Sequence, residues 1–299
     1  MDVIGDVIGF IGLGHMGNPM VQRLLKAGKT VLVYDVVQQS VDALTHQGAK
    51  FASISSIAEK AEVVITSLQT GDQVSEVCLS KDGLFSHANK GLLFIDCSSI
   101  DITTTRALHR VAKKQNIAML DAPVSGGVPG AEAGTLTFMV GGEKKYFDRA
   151  LPLLSLIGKK IIHAGGEGNG QAAKMSNNML LGISMIGVCE AFNLAEKLGL
   201  DAKTFFEISS SASGQCWSMT SYCPVPNVID HVPANHEYEP GFMAKMMLKD
   251  LRLAHHAAES VDALTPLGSI ATELYELYVN QGNGEKDFSG MINLIASKE

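Results

Sequence analysis

The sequence predicts an α/β fold, a doubly wound parallel sheet followed by a mainly α-helical C-terminal domain, and three observations carry that expectation. A short apolar strand, Val7–Ile11, runs straight into a glycine-rich turn and then a helical pattern. Apolar strand patterns go on alternating with helical ones as far as about His163, as in a parallel sheet with helices on both faces. Beyond Gly170 the strand signals stop and only helical periodicity is left. A chain of 299 residues also exceeds what one core usually organises. The expected division is a dinucleotide-binding domain over residues 1–163 and an all-α domain over 164–299, opened by a long interdomain helix.

After the first strand come Gly12, Leu13, Gly14, His15, Met16 and Gly17, then a helical pattern with an early proline, Pro19. In that order Gly12 permits the tight turn, Gly14 lets backbone approach a pyrophosphate and Gly17 lets the helix pack on the strand. The helix start then offers free amides and a favourable dipole to phosphate. The second strand, Thr30–Tyr34, ends in Asp35, about 20 residues past the glycines, where an acid meets the adenosine ribose. Its carboxylate would repel a 2′-phosphate, and Val36, Val37, Gln38 and Gln39 supply no arginine to hold one. A Rossmann-type domain that takes NAD rather than NADP follows from these features together.

Further strand patterns cover residues 63–68, 92–96, 117–121, 135–141 and 160–163, with helical patterns over 73–79, 103–114 and 143–156. Ligands of such sheets sit beyond the carboxyl ends of the strands. Leu68, Gln69 and Thr70 fall there, as do Cys97, Ser98 and Ser99. Both segments are candidates for the nicotinamide side, although serine and threonine are equally ordinary turn and capping residues. Past Asp121, the run Ser125, Gly126, Gly127 would expose a hydroxyl and backbone amides able to cradle a carboxylate, or would simply be a loop.

Lys174 follows the glycine-rich stretch 165–170 and stands in mostly small and apolar company at the start of a long helical pattern, 171–198. Asn178 is one turn further on the same face. A lysine anchored at the edge of a core is disfavoured as ammonium, which suits the acid-base residue of a nicotinamide-dependent dehydrogenase. By itself the stretch fits a surface lysine equally well, and the dinucleotide motif upstream favours the catalytic reading. Helical patterns continue over 201–209, 242–261 and 266–280, separated by a long connection, 211–241, that carries Trp217. Lys245 and Lys249 lie one turn apart with Asp250 beside the second, as a solvated helix face also would.

Composition excludes several classes. A net charge of −7 with no basic block gives no footprint for nucleic acid or anionic lipid. Five scattered cysteines and unpaired histidines form no metal-ligand or disulfide pattern, in keeping with a reducing compartment and a cytoplasmic protein. The apolar run behind Lys174 is broken by Glu190 and is expected to be too short to cross a bilayer.

With these motifs in view, the chain resembles the beta-hydroxyacid dehydrogenase family, and within it the 3-hydroxyisobutyrate branch, from Gly9 to about Ile295. The family signatures read here as residues 9–20, 121–127, 168–178 and the pair Lys249, Asp250. Residues 213–217 with Pro224 and Pro226, and residues 286–289, look like that branch rather than its glyoxylate or tartronate relatives. The resemblance implies NAD-dependent oxidation of 3-hydroxyisobutyrate to methylmalonate semialdehyde, a step of valine catabolism, with Lys174 as general acid and base. It implies substrate contacts from Ser125, Gly126, Gly127, Asn178 and Asp250. NAD contacts would come from the loop Gly12, Leu13, Gly14, His15, Met16, Gly17 and from Asp35, Leu68, Gln69, Ser99 and Lys249. Gln69 stands where relatives usually have proline, and Ser99 where many have threonine. The alternatives are a reductase of succinic, glyoxylic or tartronic semialdehyde and, more distantly, a non-catalytic dinucleotide-binding scaffold. The exposed apolar surface of a separate helical domain and the family likeness both suggest a homodimer or homotetramer.

Overall fold

The computed structural model describes residues 6–297. Nine strands, β1 (Val7–Ile11), β2 (Thr30–Tyr34), β3 (Lys50–Phe51), β4 (Val63–Thr66), β5 (Leu93–Asp96), β6 (Ala118–Asp121), β7 (Val124–Ser125), β8 (Leu136–Gly141) and β9 (Gly158–Gly165), form one sheet. Its order is β3-β2-β1-β4-β5-β6-β8-β7, with β9 also paired to β8. The first six strands are mutually parallel, so the expected doubly wound sheet is present. The far edge departs from it: β8 runs antiparallel to β6 and to β7, and β9 is parallel to β8.

Side-chain alternation along the strands fills both faces. Ile8 and Phe10, Val31 and Val33, Val63 and Ile65, and Leu93 and Ile95 enter one core. The intervening Leu32, Val64 and Phe94, with Ile11 and Met119, enter the other. Helices such as Gly17–Lys26 and Ile102–Lys114 cover the two faces, which is why these strands read as nearly continuous apolar runs. The strand order reverses between β1 and β4, opening the crevice in which such sheets bind ligands.

The chain divides into two compact units, Met1–Lys174 and Met175–Glu299. The expected division after His163 would cut β9, whereas the units divide after Lys174, so the segment that follows β9 stays with the sheet. A single helix, Asn169–Lys197, crosses the dividing point. The second unit is helical as expected, with Ala202–Ser209, Ala244–Glu259 and Pro266–Tyr278 as its other main helices. Met185, Cys189, Phe192, Met247, Leu251, Tyr275, Phe288 and Met291 form its core. The connection 211–241 contains a helical turn, Trp217–Thr220, and a 3-10 turn, Pro233–His236.

The long helix corrects the expectation about its length. It has 29 residues and an 18-residue window of mean hydropathy 1.4, enough by length and composition to cross a bilayer, and Glu190 does not interrupt it. Its buried residues Met185, Cys189 and Phe192 belong to the helical core, which accounts for much of that apolar character.

Candidate active site

The glycine loop closes β1 onto the first helix. Gly12 donates its N–H to Tyr34 O at 3.0 Å and has φ +94°, a backbone state that side chains rarely adopt. A Cβ on Gly17 would lie 1.9 Å from Gly12 O, so only glycine lets the helix sit this close to the strand end. Gly14 differs, because a Cβ there would meet nothing within 4 Å. The fold does not need a bare backbone at Gly14, and the open space beside it is where a pyrophosphate would approach. No side chain caps the first turn of Gly17–Lys26, which suits an anion at that helix end. His15 is exposed, Met16 half-buried and Leu13 buried.

Asp35 follows β2. Its Oδ2 accepts Leu13 N at 2.6 Å and its Oδ1 accepts Val37 N at 2.8 Å, so the carboxylate also braces the glycine loop. Val36, beside it, is 88% exposed and brings no cation to that rim. Residues of this kind fit NAD.

The loops after β4 and β5 lie side by side, since Thr66 pairs with Asp96 in the sheet. Leu68 N donates to Ser98 Oγ at 2.9 Å, and Gln69 N donates to Gln73 Oε1 at 3.0 Å. Thr70 caps the helix Gly71–Leu79 by accepting Gln73 N, and Ser98 is buried, so part of this serine and threonine content is capping and bracing. Leu68, Gln69 and the half-buried Ser99 are nevertheless brought to one sheet edge. Beneath them Asp96 is fully buried, its Oδ1 accepting Thr66 Oγ1 at 2.7 Å and Ser98 N at 3.1 Å. Burial pushes its carboxyl up to about 6, against the hydrogen bonds that favour the anion.

The start of the long helix is fastened to β6. Asp121, fully buried at the strand end, accepts Gly168 N at 2.9 Å and His109 Nε2 at 2.9 Å on Oδ1, and Gln171 N at 3.1 Å on Oδ2. A Cβ on Gly170 would fall 2.4 Å from Asp121 O, so this glycine serves close packing. Gln171, also buried, donates from Nε2 to Ser98 O at 2.7 Å and accepts Ile100 N at 3.3 Å. One turn on, Lys174 donates from Nζ to Val124 O at 2.9 Å and is only 8% exposed. Val124 precedes Ser125, Gly126 and Gly127, and those glycines take φ values of +129° and +62°. Lys174 and the small-residue loop, far apart in the sequence, are thus neighbours within the first unit.

In the second unit Asn178 Nδ2 donates to Asp250 Oδ2 at 2.5 Å, and Asn177 Nδ2 donates to Asn178 Oδ1 at 3.0 Å. Both Asn178 and Asp250 are buried, and the half-buried Lys249 precedes Asp250 on Ala244–Glu259. Among the described residues no group of three or more His, Cys, Asp or Glu side chains is placed to hold a metal ion. Sequence reasoning missed Asp121, His109, Gln171 and Asp96 as parts of this site. The one available signal was a strand ending in Asp121 ahead of the glycine-rich segment that it turns out to cap.

Residues 7–166 match the family model described as the NAD binding domain of 6-phosphogluconate dehydrogenase. Residues 168–295 match the one described as NAD-binding of NADP-dependent 3-hydroxyisobutyrate dehydrogenase. An NAD-dependent L-serine dehydrogenase of Pseudomonas aeruginosa is 47% identical, over 94% of this chain and 95% of its own length. The human mitochondrial 3-hydroxyisobutyrate dehydrogenase is 42% identical, over 98% of this chain and 87% of its own. Among solved structures, a Mycobacterium tuberculosis 3-hydroxyisobutyrate dehydrogenase with L-serine superposes with a TM-score of 0.93 at 41% identity, covering 97% of this chain and 99% of that one.

Proposed function

The chain belongs to the beta-hydroxyacid dehydrogenase family and is an NAD-dependent dehydrogenase, and from that premise we propose that it oxidises 3-hydroxyisobutyrate to methylmalonate semialdehyde. The observation that carries the site assignment is the 2.9 Å hydrogen bond from Lys174 Nζ to Val124 O, which holds the amine next to Ser125. In this reading the Ser125 hydroxyl and the Gly126 and Gly127 amides take the substrate carboxylate. In the same reading a neutral Lys174 accepts the hydroxyl proton during oxidation. As ammonium it returns that proton to the forming alkoxide in the reverse direction. Asn178, one helical turn further along the same helix, would orient the lysine or the substrate oxygen. Residues 12–17, Asp35, Leu68, Gln69 and Ser99, with Lys249 as a further candidate from the family likeness, would hold NAD, which would supply the two-electron acceptor for the carbinol hydrogen.

A second reading, L-serine, is favoured by the 47% identical serine dehydrogenase. L-Serine and 3-hydroxyisobutyrate share a primary 3-hydroxyl and a carboxylate and differ at C2, where one carries an ammonium and the other a methyl group. The same lysine and carboxylate cradle therefore serve both, and the environment of C2 decides. Initial rates with NAD on both acids, and with NADH on succinic, glyoxylic and tartronic semialdehydes, rank these readings by kcat/KM. Lys174→Ala is expected to bind NADH normally and to lose turnover by about 10²- to 10⁴-fold. Near-normal turnover in that variant removes Lys174 from the chemistry. We further propose a cytoplasmic homodimer or homotetramer without nucleic-acid or membrane partners, in keeping with the net charge of −7 and five free cysteines.

A further inference from the structure

We infer that Asp121, locked by His109, is a positioning residue that sets where the Lys174 amine stands, and this rests on the reading of Lys174 as the acid-base group. Three features of the first unit lead there. Asp121 accepts Gly168 N and Gln171 N, two amides at the N-terminal end of the helix that carries Lys174, at 2.9 and 3.1 Å. Such amides have no partner within a helix, and a carboxylate there is further favoured by the dipole. Three residues after Asp121, Val124 O is the acceptor of Lys174 Nζ. The same short segment therefore holds both the start of the helix and the tip of the lysine, two fixed points one helical turn apart.

His109 completes the arrangement. Its ring is buried and its Nε2 donates to Asp121 Oδ1 at 2.9 Å from the neighbouring helix Ile102–Lys114, which limits rotation of the carboxylate. An asparagine at 121 keeps the shape but can accept on only one of its two terminal atoms, so either the Gly168 or the Gln171 amide loses its partner. The helix start is then released on one side, while the cofactor loop at residues 12–17 is untouched. A displacement on the order of 1 Å at a catalytic group costs about 100-fold in rate.

The test compares wild type, Asp121→Asn, His109→Gln, Lys174→Ala and the double variant Asp121→Asn/Lys174→Ala, measuring NADH affinity, KM, kcat and Tm. Asp121→Asn is expected to keep NADH affinity and KM within about threefold and to lose kcat by about 10- to 100-fold, with His109→Gln between it and wild type. In the Lys174→Ala background the same change is expected to alter the residual rate by less than threefold, since a residue acting through the lysine has nothing left to position. An unchanged kcat in Asp121→Asn overturns the inference. So does a loss that is shared by NADH affinity, or that repeats in full without the lysine. If Lys174→Ala itself turns over normally, the underlying assignment fails instead, and that result is separate from the others.

Discussion

Asp96 shows burial and hydrogen bonding pulling one carboxyl in opposite directions. Burial dominates and raises it from the ordinary 3.8 to about 6, so the folded chain holds this proton more tightly than the unfolded chain does. The stabilising contribution is complete below about pH 4 and is lost as pH rises through about 6, a change of roughly 3 kcal/mol. Denaturant unfolding between pH 4 and 7 is expected to show that decline in the wild type, and Asp96→Asn is expected to flatten it. At Asp35 two roles meet in one side chain. Asp35→Ala leaves Leu13 N and Val37 N without their acceptor, and NADH affinity is expected to fall by about 10-fold or more, which a fluorescence titration reads directly. The burial of Lys174 fits its small, apolar sequence company, which by itself suited a surface lysine equally well. Its supports were not legible in the sequence. His109 lies 12 residues from Asp121 and Gly168 lies 47 away, so their meeting depends on how strands and helices stack rather than on any local pattern.

At the level of elements, periodicity found most of the longer strands and helices and missed several short ones, the helices Gln38–Thr45 and Ile54–Lys60 among them. β3 and β7 have two residues each, too few for alternation to register. The direction of β8 was a different kind of miss. A parallel connection needs a crossover of about a dozen residues or more, and only residues 126–135 separate β7 from β8, so an antiparallel pair is the short route. The connection 211–241 read as irregular because part of its order comes from groups distant in the sequence, Asp287 among them. Asp287 accepts Tyr222 OH, Gly241 N and Phe242 N at 2.9 to 3.0 Å, and Ser289 N and Oγ at 2.9 and 2.6 Å. Asp287→Ala strands these donors in a buried setting and is expected to cost about 3–5 kcal/mol. Limited proteolysis of that variant should cut within 211–241 first.

For the whole molecule, the α/β plan, the order of the two units and the family were all legible, because glycine turn, strand alternation and helical periodicity agree on one architecture. The placement of the boundary was not, since residues 164–174 carry helical and glycine signals while their hydrogen bonds run back to the sheet. The second unit leaves several large apolar side chains in solvent, among them Leu198, Leu264 and Leu267, with Leu264 96% exposed. Surfaces of this kind are commonly covered by association, and light scattering of the purified protein is expected to give a mass two or four times 31.8 kDa. A monomer at micromolar concentration would remove that proposal. The continuity of Asn169–Lys197 through the point where the units divide has an engineering consequence. A chimera spliced at Lys174 and Met175 would ask two unrelated half-helices to grow as one, whereas a splice at the turn around Gly199 keeps the long helix whole on the side of the first unit, amine and anchor together.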